Sequence, residues 1–180
     1  MNTQLVQELK SAKKIAIVRS WNLPISRKHS VHVARAIKYL PIHKAKNYLE
    51  DVINLKRSIP CFRYNRDIGH KTDLQGSVKA GRYPQKVARY FLKLLNSLEK
   101  NAQELGLNTS KLIIIHAAAH KGTTVPGRIR MNRVRRKRTH VEIYAMEIEQ
   151  YDPSKRYSRK ALKRLVENVL KEWSQKLSKK

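Results

Sequence analysis

The sequence predicts an α+β fold: three helices packed on one face of a small three-stranded antiparallel sheet, a long projecting β-hairpin, and a C-terminal amphipathic helix. Three observations carry it. Apolar residues recur at helical spacing in three successive segments between residues 30 and 105. Two later runs, Leu112–Ile115 and Val141–Ala145, have the character of strands, the second alternating strictly. The stretch joining them, residues 116–140, carries six Arg and two Lys and no acid, so it has nothing with which to build a core of its own.

Element by element, residues 3–14 have the spacing of a short helix with Thr3 as N-cap, whereas IAIV at 15–18 reads equally as extended chain. Leu23, Ile25 and Arg27 alternate, and Pro24 restricts that stretch to a short edge strand. Ser30 is the expected N-cap of the first helix, with Val33, Ala34, Ile37 and Leu40 along one side and Pro41 ending the run. The second helix shows Ile42, Ala45, Leu49, Val52 and Ile53 on one face and stops before Pro60. Residues 57–83 have no period, and an aperiodic segment of that length within a domain is usually functional or disordered. Pro84 suits the first turn of the third helix. That helix has a continuous stripe from Val87 through Phe91, Leu95 and Leu98 to Ala102, with Gly106 as its terminator. Near the end, Leu162, Leu165, Val166, Val169, Leu170, Trp173 and Leu177 form the stripe of a basic amphipathic helix. Its apolar face is expected to dock on a neighbouring protein, with packing on its own domain and a membrane surface as the other options.

The charge narrows the function. Forty Lys and Arg stand against thirteen Asp and Glu, a formal net charge of +27 on 180 residues. Such a chain repels itself when compact and calls for a polyanionic partner, nucleic acid first and anionic membrane second. One cysteine, Cys61, excludes a disulfide framework and a multi-Cys zinc site. No apolar run approaches the roughly 18–20 residues of a membrane span, and MNTQLVQELKSAKK lacks the apolar stretch of a secretory signal. A catalytic reading finds no support. Glu50 and Asp51 are adjacent on a helix and point apart. His116 and His120, four apart on a strand and so about 13 Å apart, are expected to lie too far from each other to share a metal. Neither a phosphate-binding Gly-rich loop nor an activated nucleophile is present, so no cofactor and no enzymatic activity are expected.

The basic stretch is read as the outer part of one long hairpin, with its turn at Val125-Pro126-Gly127. An arm of about 13 residues at ~3.3 Å each reaches about 40 Å. A lone two-stranded ribbon is marginal in water, so a polyanion must hold it. Lys121, Arg128, Arg130, Arg133, Arg135, Arg136, Lys137 and Arg138 are the expected contacts. Arg supplies a planar fork for phosphate and stacks on bases. Arg63, Tyr64, Arg66 and Arg82 interleave cations with an aromatic ring, a pattern suited to unstacked RNA bases. Arg27 and Lys28 extend the candidate surface to the start of the first helix. A competing reading treats residues 30–56 as a helix–turn–helix that binds DNA; against it, the densest charge lies elsewhere.

Several stretches taken together, NLPISRKHSVHVARAIKYLPIHKAKNYLEDV, PCFRYN, GRYPQKVARYFLKLLNSLEKNAQELGL, LIIIHAA and RKRTHVEIYAM, resemble in order the universal large-subunit ribosomal protein family twenty-two, over about residues 21–149. PCFRYN and GRYP, around the 57–83 insertion, are similar to the archaeal and eukaryotic branch. The resemblance implies a structural role in the large ribosomal subunit and contact with its RNA and with neighbouring ribosomal proteins. It also implies that the hairpin tip, Thr123, Thr124, Val125, Pro126, Gly127, Ile129 and Met131, lines the narrow part of the nascent-peptide exit tunnel and touches the nascent polypeptide in passing. It implies a cytoplasmic ribosome, with nucleolar assembly if the source is eukaryotic. Of the usual tip run only Gly127-Arg128 is kept. The expected organisation is an N-terminal extension at 1–20, a ribosomal-protein domain at 21–149 that includes the hairpin 112–146, and a basic helical extension at 150–180.

Overall fold

A computed structural model describes residues 7, 9, 11, 14–74, 76–129 and 132–178. Among them are four α-helices: α1 (Arg27–Ile37), α2 (Ile42–Ile53), α3 (Gln85–Glu104) and α4 (Arg159–Ser178). Seven strands accompany them: β1 (Ile15–Leu23), β2 (Ile59–Pro60), β3 (Gly81–Arg82), β4 (Leu112–Lys121), β5 (Val125–Ile129), β6 (Asn132–Arg136) and β7 (Thr139–Glu147). The architecture is α+β with antiparallel sheets: a three-stranded sheet in the order β1-β7-β4, and two-stranded pairs β2-β3 and β5-β6.

The central sheet carries a core on each face where β1 begins, β4 begins and β7 ends. Its strand residues alternate between two cores. Leu112, Ile114, Val141, Ile143, Ala145, Ala16 and Val18 face α1, α2 and α3, where Val33, Ile37, Leu49, Phe91, Leu95 and Leu98 close the main core. Ile113, Ile115, Tyr144, Met146 and Ile15 face the other way, against Leu9, Tyr151, Leu162 and Val166. The expectation of helices on one face only is therefore corrected: α4 packs its first two turns on the opposite face. Its apolar stripe begins with Leu162 and Val166, each 1% exposed, and these are covered inside the molecule. The helix is tied in at its start by Arg159, whose guanidinium donates to the Arg35 and Lys38 carbonyls at the end of α1.

Other boundaries differ for local reasons. α1 starts at Arg27, with Ser26 at the N-cap position, and not after Ser30. Ser30 is instead fully buried inside the helix, where its hydroxyl donates to the Ser26 carbonyl at 2.9 Å and so needs no outside partner. Strand β1 covers Ile15–Leu23, so the apolar IAIV run is extended, and Ile25 and Arg27 lie outside any strand. Of the expected N-terminal helix, Gln7, Leu9 and Ser11 are helical, and Lys14 leads directly into β1. The other positions of that helix, Thr3 included, fall outside the described residues.

α3 ends as its sequence requires. Gly106 takes φ +74, its N–H donates to Gln103, and the Leu107 N–H donates to Ala102, which satisfies the last carbonyls and turns Leu107 into the core. The turn between α1 and α2 covers the open edge of β4. The Tyr39 N–H donates to the Ile114 carbonyl at 2.8 Å, and the Ile114 N–H donates to Leu40 at 3.0 Å.

β4 and β7 run on into β5 and β6, but not as one regular ladder. Lys121 pairs with Thr139 and Val125 with Arg136, so the outgoing strand holds one residue more than the returning one across the joint. Gly122 sits there because a Cβ would lie 3.0 Å from the Arg138 backbone, and its N–H donates to the Arg138 carbonyl. β1 accompanies β7 as far as Leu23↔Thr139. The free ribbon therefore begins only at Lys121, and its reach is about 30 Å rather than 40 Å. The expected turn at Val125-Pro126-Gly127 is also corrected. These residues are in β5, opposite Arg136, Arg135 and Val134, and the chain reverses beyond Ile129↔Asn132. In a two-stranded ribbon Pro126 is tolerated because each strand has an unpaired outer edge.

Candidate nucleic-acid interface

The outer ribbon brings two of its cations face to face. Arg128 is directly opposite Arg133, and Pro126 opposite Arg135, on one side; Val125 is opposite Arg136, and Gly127 opposite Val134, on the other. Like charges directly across an antiparallel pair are destabilising. Arg128, Arg133, Arg135 and Arg136 are all exposed, and among the described residues none has a carboxylate partner. The next acid along the chain, Glu142, lies back in the sheet. The arrangement stores repulsion that an external polyanion relieves.

At the foot of the ribbon a second group of cations converges. Ser26, Arg27 and Lys28, at the start of α1, meet Lys121, Thr124, Lys137 and Arg138 from the hairpin around a hollow of about 240 Å³. Among these lining residues none is acidic. The first N–H groups of α1 and its dipole add to the same positive field. Burial chiefly, with Arg82 and Lys137 adding to it, pushes His29, in the next position, below the usual histidine range.

The 57–83 segment extends this surface. Tyr64 is 45% exposed with φ +54, and the Arg27 guanidinium donates to its hydroxyl at 3.3 Å. The Lys28 ammonium lies 5.0 Å from its ring centroid and the Arg27 guanidinium 5.9 Å. Arg82 is placed beside His29 by the short β2-β3 pair. The loop is anchored through Asp73, whose carboxylate accepts from the Ser58 N–H at 2.5 Å and the Ser58 hydroxyl at 2.9 Å. Burial works against ionisation of Asp73, but these two bonds and Arg57 outweigh it and hold the carboxyl below its ordinary range. Arg63 and Arg66 are exposed in the same loop.

Comparison with known proteins adds an independent line. The profile of a family described as Ribosomal protein L22p/L17e matches residues 18–146. The chain belongs to this family. Three relatives, each named Large ribosomal subunit protein uL22, are archaeal. The Nanoarchaeum equitans protein is 47% identical over 163 residues, covering 86% of this chain and 91% of the relative. The Ignicoccus hospitalis protein is 39% identical over 147 residues, covering 78% and 92%. The Nitrosopumilus maritimus protein is 44% identical over 129 residues, covering 69% and 84%. The first alignment covers more of the chain than the family profile does, so likeness reaches into a flanking segment. These relatives lend nothing to nucleolar assembly. The family is one of structural ribosomal proteins of the large subunit, acting in translation, and is not a family of enzymes.

Of the predicted site residues of this ribosomal protein, the structure gathers Arg27, Lys28, Tyr64, Lys121, Lys137 and Arg138 around one corner, with Arg82 beside it. Arg128, Arg133, Arg135 and Arg136, with Val125, Pro126 and Gly127, lie along the arm. Thr123 and Thr124 lie at the joint, not at the tip, because the chain turns back only beyond Ile129. Arg130 and Met131 fall outside the described residues.

One cluster escaped the sequence reading. The Nε2 atoms of His116 and His120 are each 3.3 Å from the same Glu142 oxygen, and the Tyr144 hydroxyl donates to the other oxygen at 2.9 Å. Spacing along the strand is the wrong measure here: the two histidines share a face, and Ala118, opposite Glu142, is small enough to let both rings lean inward. Burial lowers the His116 pKa, so at neutral pH this contact is a hydrogen bond of a neutral ring. Among the described residues no group of three or more His, Cys, Asp or Glu is arranged to hold a metal ion. Cys61 is 2% exposed, and burial pushes its thiol up, which makes it an inert core residue.

Proposed function

We propose that this ribosomal protein binds large-subunit ribosomal RNA through the α1 corner and the outer hairpin, and that the hairpin runs along the nascent-peptide exit tunnel. The observation that carries the reading is the pairing of Arg128 with Arg133 on a ribbon without a carboxylate, next to a five-cation hollow at its foot. Phosphates entering between these cations supply the missing charge. Such contacts set position and not sequence. Val125, Pro126, Gly127 and Ile129, at the outer end of β5, form the part that meets the nascent polypeptide. Neighbouring ribosomal proteins are the remaining partners, and the chain works in the cytoplasm on the ribosome. Among the described residues no helix is long and apolar enough to cross a membrane.

The DNA-binding alternative is not favoured by the geometry. α2 buries Ile42, Ala45, Leu49 and Val52 in the main core, and Glu50 lies on its exposed side. Sedimentation in a high-salt gradient tests the proposal. The tagged protein is expected to remain with the large-subunit particle; recovery only in light fractions would refute it. With isolated ribosomal RNA, about 6–10 phosphate contacts make affinity fall about 10³–10⁵-fold between 50 and 200 mM salt.

A further inference from the structure

Trp21 lies at the end of β1, 67% exposed, the most exposed large apolar side chain among the described residues. Its position is built and not incidental. The β1–β7 register shifts between Ser20 and Leu23, so the strand bulges at Trp21-Asn22. Asn22 takes φ +54, a left-handed conformation that asparagine tolerates better than most residues. Bulges of this kind re-aim a side chain.

Two groups from the foot of the hairpin hold the bulge. The Asn22 N–H donates to His140 Nδ1 at 3.1 Å, and the Arg138 guanidinium donates to the Asn22 carbonyl at 3.4 Å. The His140 ring also packs edge-on against the indole, with centroids 4.8 Å apart at 63°. The indole is thus braced by its neighbours and still open to solvent. Arg138 belongs at the same time to the cationic hollow that includes Lys121 and Lys137. An open aromatic plane next to converging cations is the pairing that single-stranded nucleic acid uses, with the base on the ring and the phosphate on the cations.

We propose that Trp21 is a stacking platform for one unpaired base of RNA, a bulged or extruded nucleotide whose flanking phosphates sit against Arg138 and its neighbours. The proposal rests on the RNA-binding reading above and adds a contact that recognises an unpaired base, which the hairpin arginines do not. It also explains why an exposed tryptophan is fixed on a strained bulge instead of being left on a mobile surface.

The chain has two tryptophans, Trp21 and Trp173, so W173F leaves Trp21 as the sole indole. The probes are a short RNA hairpin with one bulged 2-aminopurine and the same stem fully paired. The expected result is quenching of Trp21 and of 2-aminopurine emission by the bulged probe only. Trp21→Ala should bind the bulged probe about 5- to 150-fold more weakly and the paired one unchanged, Trp21→Phe should keep most of the affinity, and the salt slope should not move. A circular-dichroism melt like that of the parent confirms that the variant folds. Equal affinity of Trp21→Ala and parent for the bulged probe would overturn the stacking alone. So would unchanged RNA affinity with failed incorporation into the large subunit, which assigns the ring to a protein neighbour. Failure of the parent to bind either probe or ribosomal RNA would overturn the RNA reading itself and the platform with it.

Discussion

The inner and outer halves of the hairpin follow one another directly along the chain, yet they are held by different things. From Leu112 to Lys121, β4 has β7 on one side, and over Leu112–Ile115 it also has the α1–α2 turn on the other and a core against each face. From Val125 to Ile129, β5 has only β6, and one opposed pair, Arg128 and Arg133, carries like charge. The transition falls at Gly122, where the third strand and both cores have ended. The difference teaches that stability and function are separated along a single ribbon: burial fixes its foot, and its outer part is left for a partner to complete.

Substitutions should divide along this line. The largest effects belong to the inner half and the helices that cover it. Phe91→Ala, at a fully buried position, should cost about 3–5 kcal/mol. Leu162→Ala should cost about 2–5 kcal/mol. Thermal melts would read each as a Tm loss of roughly 2–4 °C per kcal/mol. A silent Leu162→Ala would mean that α4 does not depend on the sheet, against the two-core arrangement. In the outer half the signs reverse. Replacing Arg128 and Arg133 with Ala should leave Tm unchanged or slightly higher, because an unfavourable pair is removed. The slope of log affinity for ribosomal RNA against log salt should flatten by about 0.7–0.9 for each phosphate that is no longer neutralised. A large fall in Tm would break the comparison.

The smallest effect is expected in the loop. The Asp73 pKa is lowered in the folded protein, so its contribution is complete above the ordinary carboxylate value and is lost as pH falls through the lowered one. Exposure and screening keep it under about 1 kcal/mol. Asp73→Asn should remove this acid-side dependence while leaving the melt at neutral pH little changed, as parallel melts at falling pH would show.

What could be read from the sequence follows the same division. The stripe Val87–Phe91–Leu95–Leu98 and the Gly106 stop were legible because helical period and capping chemistry are local. So was the acid-free arm, because composition alone shows that it lacks a core. The side of the sheet on which α4 packs was not legible: an amphipathic stripe says that a face is covered but not by what. The start of α1 was missed because Ser30 has the chemistry of a cap, and only tertiary burial shows that its hydroxyl bonds within the helix. The register of the joint and the convergence of Arg27, Lys28, Lys121, Lys137 and Arg138 depend on strand pairing between distant segments, which no local pattern encodes. The convergence of His116 and His120 on Glu142 needed the same cross-strand register.

The central claim is that RNA completes the outer hairpin. Amide hydrogen exchange on the full chain, free and bound to large-subunit ribosomal RNA, tests it most directly. Residues 112–121 and 139–147 should be protected in both states. Residues 125–129 and 132–136 should exchange freely in the unbound protein and become protected only with RNA. Equal protection of the outer strands without RNA, or none with it, would contradict the account.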